Sequence, residues 1–172
     1  MKPETKKILL DFLKKADFDE ILDFAKDLKS VGISLNSYNN PTPIAVSLIR
    51  VKTSEGLKFL VVKRKNAPGV GGLAFPGGYV DYLESAEVAA CRETREETGL
   101  SLNPLKFKLI KSVCSTTNNN LLLFCLYEEV LNLETIDFEF CNEEVFCLQL
   151  ADKNSSLVFP IHQDMLQLLY EF

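Results

Sequence analysis

The stretch "GGYVDYLESAEVAACRETREETGL", residues 77–100, gathers five glutamates and two arginines behind a pair of glycines. Ser85 is a suitable N-cap and Gly99 a suitable stop, so the spacing predicts a helix from Ser85 to about Thr98. At roughly 100° per residue, Glu93, Glu96 and Glu97 share one arc of that helix. Ala86, Ala90, Cys91, Thr94 and Thr98 fall on the adjoining side, and residues that small let a helix lie close against a sheet. The three carboxylates are then expected together at its rim. Like charges at these spacings repel by about 0.3 kcal/mol per exposed pair, and Arg92, one turn before Glu96, offsets part of that. Most acidic helix faces are simply solvated. Two features argue for more here. Hard divalent cations bind through carboxylates, and Mg2+ takes one or two of them with water and phosphate oxygens. A fourth carboxylate, Glu84, follows a glycine-rich loop whose backbone can approach a ligand closely, with carbonyls for a metal and N–H groups for phosphate.

Outward from this helix the chain reads as a sheet protein. "IAVSLIRV" (44–51) and "LKFLVVKR" (57–64) are β-branched, apolar runs separated by "KTSEG", a strand, turn, strand pattern. A loop follows over 66–78, broken by a short strand at Leu73 to Phe75. Beyond the helix, 105–115 and 120–130 are expected to pair across "TTNN", then comes a strand over 144–150, and a helix from Ile161 to Tyr170. Strands mostly follow one another directly, so the class is α+β with a mixed sheet. Residues 3–30 read as helix, with Pro3 and Glu4 in a first turn, apolar Ile8, Leu9, Phe12 and Leu13, and a restart at the Asp17/Glu20 capping box. Ile21, Leu22, Phe24, Ala25 and Leu28 form the second apolar side, and Gly32 stops it. The turn-rich "NSYNNPTP" (36–43) separates this extension from the main domain, giving units of 1–38 and 39–172. The extension is read as a packing lid or a contact between two copies of the chain.

The chain has 172 residues, 47% hydrophobic and 25% charged, as expected of one globular domain with a small appendage. A net charge of -5 argues against general affinity for nucleic acid or anionic membrane, but not against a nucleotide held through a cation. No apolar run is long enough to span a bilayer, and the first residues do not form a signal peptide. The five cysteines are odd in number with no C-x-x-C pair, which predicts buried, reduced thiols in a cytoplasmic protein. With one histidine, His162, a structural zinc site is not expected, and His162 itself is read as structural.

The quoted stretch also resembles the Nudix box, G-x5-E-x7-R-E-U-x-E-E-x-G-U, where U is aliphatic. Gly78, Glu84, Arg92, Glu93, Glu96, Glu97 and Gly99 stand at its fixed positions, and Leu100 fits the last U. Thr94 departs from the usual aliphatic residue, and its hydroxyl can bond back to a helix carbonyl. The resemblance implies an α/β/α sandwich around a mixed sheet. It also implies hydrolysis, with Mg2+ or Mn2+, of a small-molecule nucleoside diphosphate linked to another moiety. By position, Glu93, Glu96 and Glu97 would be metal ligands, the Gly77 carbonyl another, and Glu93 also a base. Arg92 would orient the glutamates by pairing with Glu84. Many relatives use one more glutamate outside the box, for which Glu144 is the first choice and Glu143 the second. The substrate-binding residues are not assigned; Phe75, Tyr79 and Tyr82 are as suited to core or rim as to stacking on a base. The NADH pyrophosphatase motif is absent. The coenzyme A signature is partial: Gly71, Leu73 and "FPGG" fit, but its second arginine is missing. Where ADP-ribose hydrolases often carry a proline, this chain has "STT" (115–117), which counts against ADP-ribose. The rival reading is a nucleotide sensor on the same fold that binds without turnover.

Overall fold

The structure, a computed structural model, describes residues 11, 15–17, 19–21, 23, 24, 26 and 40–171. The chain divides into two compact units, Met1–Asn40 and Pro41–Phe172. In the first, the capping box forms as the spacing predicts. The Glu20 N–H donates to Asp17 Oδ1 at 2.9 Å and the Asp17 N–H to Glu20 Oε2 at 3.1 Å. Helix follows over residues 19–21, 23, 24 and 26. The readings on Pro3, Glu4, Ile8, Leu9, Phe12, Leu13, Leu22, Ala25, Leu28 and Gly32, and on the loop before Asn40, lie outside the described residues.

In the second unit the β-branched runs form β1 (Thr42–Thr53) and β2 (Gly56–Arg64). Their hairpin turns at Gly56, whose φ of 117° only glycine adopts without strain. The two strands pair only over Arg50–Thr53 and Gly56–Phe59, then part. Two short strands pair with them beyond that point. β3 (Leu73–Ala74) pairs with β2 at Val62 and Lys63, and β4 (Gly77–Tyr79) pairs with β1 at Ile44–Val46. β5 (Phe107–Cys114) and β6 (Asn120–Asn132) pair antiparallel, β6 runs parallel to β1, and β7 (Val145–Ala151) pairs antiparallel with β2. The result is a mixed seven-stranded sheet. β4 was not expected, because glycines weaken a strand prediction. It forms because β1 offers it three backbone partners.

Alternation along β1 sends side chains to both faces. Ala45, Ile49 and Val51 meet Ala89 and Ala90 of helix α1 (Ala86–Thr98) in one core. Val46 and Leu48 join Phe59, Val61, Phe75 and Phe124 against Met165 and Leu166 of helix α2 (Pro160–Leu169) in the other. Helices therefore cover both faces, the α/β/α arrangement. Thiol burial is a correction. Only Cys125 is buried, Cys91 and Cys147 are half-buried, and Cys114 and Cys141 are exposed, because β5 turns much of its length to solvent and Cys141 sits in a loop. No described helix is long and apolar enough to cross a membrane.

Candidate active site

The site begins with two glycines that leave room for others. A Cβ on Gly77 would lie 2.3 Å from the Ala45 carbonyl oxygen, so glycine is what allows β4 to press against β1. A Cβ on Gly78 would lie 2.4 Å from Glu93 Oε1, so the Glu93 carboxylate occupies the space that a side chain there would fill. The helix after them is capped as its sequence indicates. Ser85 accepts from the Val88 N–H, and Gly99, at φ 73°, closes the last turn onto the Arg95 carbonyl.

Arg92 organises the carboxylates. Its Nε and Nη2 donate to the two oxygens of Glu84 at 3.0 and 2.9 Å, a bidentate pair. Nη1 donates to Glu93 Oε1 at 2.6 Å and Glu96 Oε2 at 3.1 Å, and Nη2 also donates to the Tyr79 carbonyl at 2.9 Å. The hydrogen bonds from Arg92 hold the Glu84 carboxyl below the usual range, and Glu84 in turn raises the Arg92 pKa.

The three helix glutamates are not equivalent, which corrects the expectation that all sit at the rim. Glu97 is buried at 4% exposure, Glu93 is half-buried and Glu96 is exposed. An arc of that width runs from the helix–sheet seam out to solvent. Glu97 Oε2 accepts the Gly77 N–H at 2.9 Å. Burial pushes the Glu97 carboxyl up to about 7; the Gly77 bond opposes this, the charges of Glu93 and Glu144 add to it, and Arg64 works against it. Burial also raises Glu93, outweighing Arg92, with Glu96 and Glu144 adding.

Glu144 is exposed just before β7, and its charge is the smallest of the influences that raise Glu93 and Glu97. Its N–H donates to Asn142 Oδ1 at 2.8 Å and its carbonyl accepts the Lys65 N–H at 2.7 Å. Glu143 is exposed. Sequence reasoning missed Arg64 and Asn142. Arg64 ends β2, donates from Nε to the Pro68 carbonyl at 3.1 Å, and lies over the Phe159 ring at 5.1 Å. Among the described residues no carboxylate pairs with it, so its charge is available beside Glu97. The signal for Arg64 was a charge closing an apolar strand just before the glycine loop. Phe75 is core, while Tyr79 and Tyr82 are exposed. Tyr79 contributes its carbonyl to Arg92.

The donor set suits a hard cation, since it is all oxygen and clustered at a loop where backbone comes close. A cation would also favour the charged form of Glu97, which burial disfavours. Among the described residues no three carboxylate, imidazole or thiol side chains already stand arranged to hold a metal, because Arg92 draws oxygens of Glu84, Glu93 and Glu96 to itself. The Gly77 atom set against a glutamate is its N–H.

A 43-residue stretch is 54% identical to the ADP-ribose pyrophosphatase of Methanocaldococcus jannaschii, and that match spans 25% of this chain and 25% of the relative. The NUDIX domain of Shewanella oneidensis NrtR, solved with ADP ribose, is similar over 94% of this chain and 96% of its own, with TM-score 0.63 and 16% identity. A bifunctional NMN adenylyltransferase/ADP ribose pyrophosphatase from Francisella tularensis, solved with AMP and a manganese ion, is similar over 97% of this chain and 52% of its own, with TM-score 0.61 and 18% identity. At those identities the structural likenesses establish the fold. The family model for the NUDIX domain matches residues 41–157, most of the chain, and the chain belongs to the Nudix family.

Proposed function

We propose that this chain is a pyrophosphohydrolase that cleaves the diphosphate of a nucleoside diphosphate joined to another moiety, with ADP-ribose the first candidate. The observation that carries the reading is the Arg92 knot. One guanidinium holds Glu84 bidentate and touches Glu93 and Glu96, while Glu97 is fixed at the glycine turn. The stretch shared with an ADP-ribose pyrophosphatase favours ADP-ribose over the "STT" departure, which concerns one loop outside the box.

Glu93, Glu96 and Glu97, with the Gly77 carbonyl, would hold Mg2+ or Mn2+. Such a cation neutralises phosphate charge and lowers the pKa of water bound to it. Arg64, which pairs with no carboxylate among the described residues, would meet a phosphate oxygen. Water attacks one phosphorus, the anhydride P–O bond breaks, and the bridging oxygen leaves with the second product. The proton lost by the water goes to a carboxylate, Glu93 or Glu144. Residues 39–172 form the hydrolase domain on this reading. Free thiols, two of them exposed, fit the reducing conditions of cytoplasm.

The test is a panel of ADP-ribose, NADH, dinucleoside polyphosphates and nucleotide sugars with Mg2+ or Mn2+, reading released nucleoside monophosphate. Glu96→Gln and Glu97→Gln should each lower turnover by about 100-fold or more while barely changing the melting temperature. Unchanged turnover in both would overturn the mechanism. Binding of ADP-ribose without turnover would instead point to the sensor reading.

A further inference from the structure

Asn142 has no part in the chemistry just described, yet it joins two of its elements. It lies half-buried in the turn before β7. Its Oδ1 accepts the N–H groups of Glu144 and Val145, both at 2.8 Å. Its Nδ2 donates to the Glu96 carbonyl, in the last turn of α1, at 2.7 Å. Its own carbonyl accepts from Lys65 Nζ at 2.6 Å, and its N–H donates to the Val145 carbonyl at 3.1 Å. One side-chain amide thus commits its acceptor to the backbone of Glu144 and its donor to the backbone of Glu96. Only Asn combines both functions at this length. Asp has no donor, and Ser is too short to reach the helix.

We infer that Asn142 is a positioning residue, setting Glu144 beside the end of α1 by tying the turn before β7 to that helix. The inference rests on the proposed reading, in which Glu144 is a candidate proton acceptor, and extends it: the Glu144 charge, beside the cation that Glu93, Glu96 and Glu97 would hold, also strengthens the grip on that cation. The bland alternative is an Asx turn that only steadies the loop. The two differ in whether Asn142 acts through Glu144. A residue that only steadies the fold lowers function equally with or without the Glu144 carboxylate. One that works through Glu144 has nothing further to lose once that carboxylate is gone.

The experiment is a double-mutant cycle on the full chain with wild type, Asn142→Ala, Glu144→Gln and the double variant. The first readout is the Mn2+ dissociation constant by calorimetry, and the second is turnover of ADP-ribose with Mn2+. Asn142→Ser joins the set because its hydroxyl can still cap the Glu144 N–H while losing the tie to Glu96. The expected result is about tenfold weaker Mn2+ binding in Asn142→Ala and Glu144→Gln alike, and no further loss in the double variant. Asn142→Ser should show the same weakening with a melting temperature close to wild type. Equal losses from Asn142→Ala in both backgrounds, or wild-type Mn2+ binding in Asn142→Ser, would overturn the inference alone. Failure of the wild-type protein to take up Mn2+ at millimolar concentration would overturn the functional reading and this inference with it.

Discussion

Gly77 and Gly78 are adjacent, yet they make opposite demands. A side chain on Gly77 meets backbone, the Ala45 carbonyl oxygen at 2.3 Å and Val46 Cα at 2.9 Å, and neither can move without opening the β1–β4 pairing. Gly77→Ala should therefore cost about 2–4 kcal/mol of stability. The three atoms nearest a side chain on Gly78 all belong to the Glu93 carboxylate, a side-chain end that can swing but would have to leave Arg92 to do so. Gly78→Ala should fold within about 1 kcal/mol of wild type but displace Glu93, lowering turnover about 100-fold. Chemical denaturation and turnover on the same two variants check both outcomes. Arg92 makes a related prediction. Arg92→Lys keeps the charge but loses the fork that grips Glu84 and reaches Glu93 and Glu96 together, so turnover should fall about 10- to 100-fold while the protein stays folded. At this scale the box was readable, because glycine, arginine and glutamate each have few reasons to recur at fixed spacing. The Arg92–Glu84 pair follows from it. The grading of Glu93, Glu96 and Glu97 did not, since periodicity places residues on an arc without saying where the sheet ends. Asn142 was not legible either, as its partner on α1 is 46 residues away.

Helices α1 and α2 each set a buried polar side chain into the layer against the sheet. In α1 it is Thr94, which departs from the usual aliphatic residue of the box. The Ser47 hydroxyl of β1 donates to the Ala90 carbonyl at 2.8 Å, and the Thr94 hydroxyl lies 2.7 Å from that carbonyl and 2.9 Å from Ser47 Oγ. All three groups are buried. The bond back to a helix carbonyl was foreseeable from Thr94 alone; the answering serine on β1 was not, because nothing in the sequence pairs the two positions. In α2 it is His162. Its Nδ1 accepts the Phe75 N–H at 3.3 Å, among the rings of Phe75, Phe124 and Phe159. Burial, with the Arg64 charge adding, pulls its pKa down to about 3. An unfolded chain takes up that proton near pH 6.5, so between about 6.5 and 3 the unfolded state binds more protons. The contribution of His162 is therefore full above about pH 6.5 and is lost as pH falls towards 3. On going from about pH 7 to about pH 5 the urea midpoint of the wild type should fall relative to that of His162→Leu, while the raised pKa of Glu97 acts in the opposite direction in both proteins. His162→Leu should be less stable at neutral pH by about 1–3 kcal/mol, because the Phe75 N–H loses its acceptor, and the gap should narrow with acid.

Across the whole molecule, the strands and helices of residues 40–171 were largely predictable from local pattern, and their arrangement was not. The hairpins β1–β2 and β5–β6 join neighbours in sequence, and turn residues announce them. The parallel pairing of β1 with β6 and the placing of β7 beside β2 are non-local, and no local signal encodes them. That arrangement serves the site. The parting of β1 from β2 leaves edges for the glycine turn, and β7 on the far edge of β2 brings Glu144 towards α1. On the proposed function, this assembly of carboxylates grips a divalent cation in order to cleave a nucleoside diphosphate. The most direct measurement is release of AMP from ADP-ribose with Mn2+, by wild type and Glu97→Gln, each with and without a chelator. The wild type should release AMP, none should appear once the metal is stripped, and turnover should be at least about 100-fold lower in Glu97→Gln. AMP released equally by both proteins, or undiminished by the chelator, would contradict it.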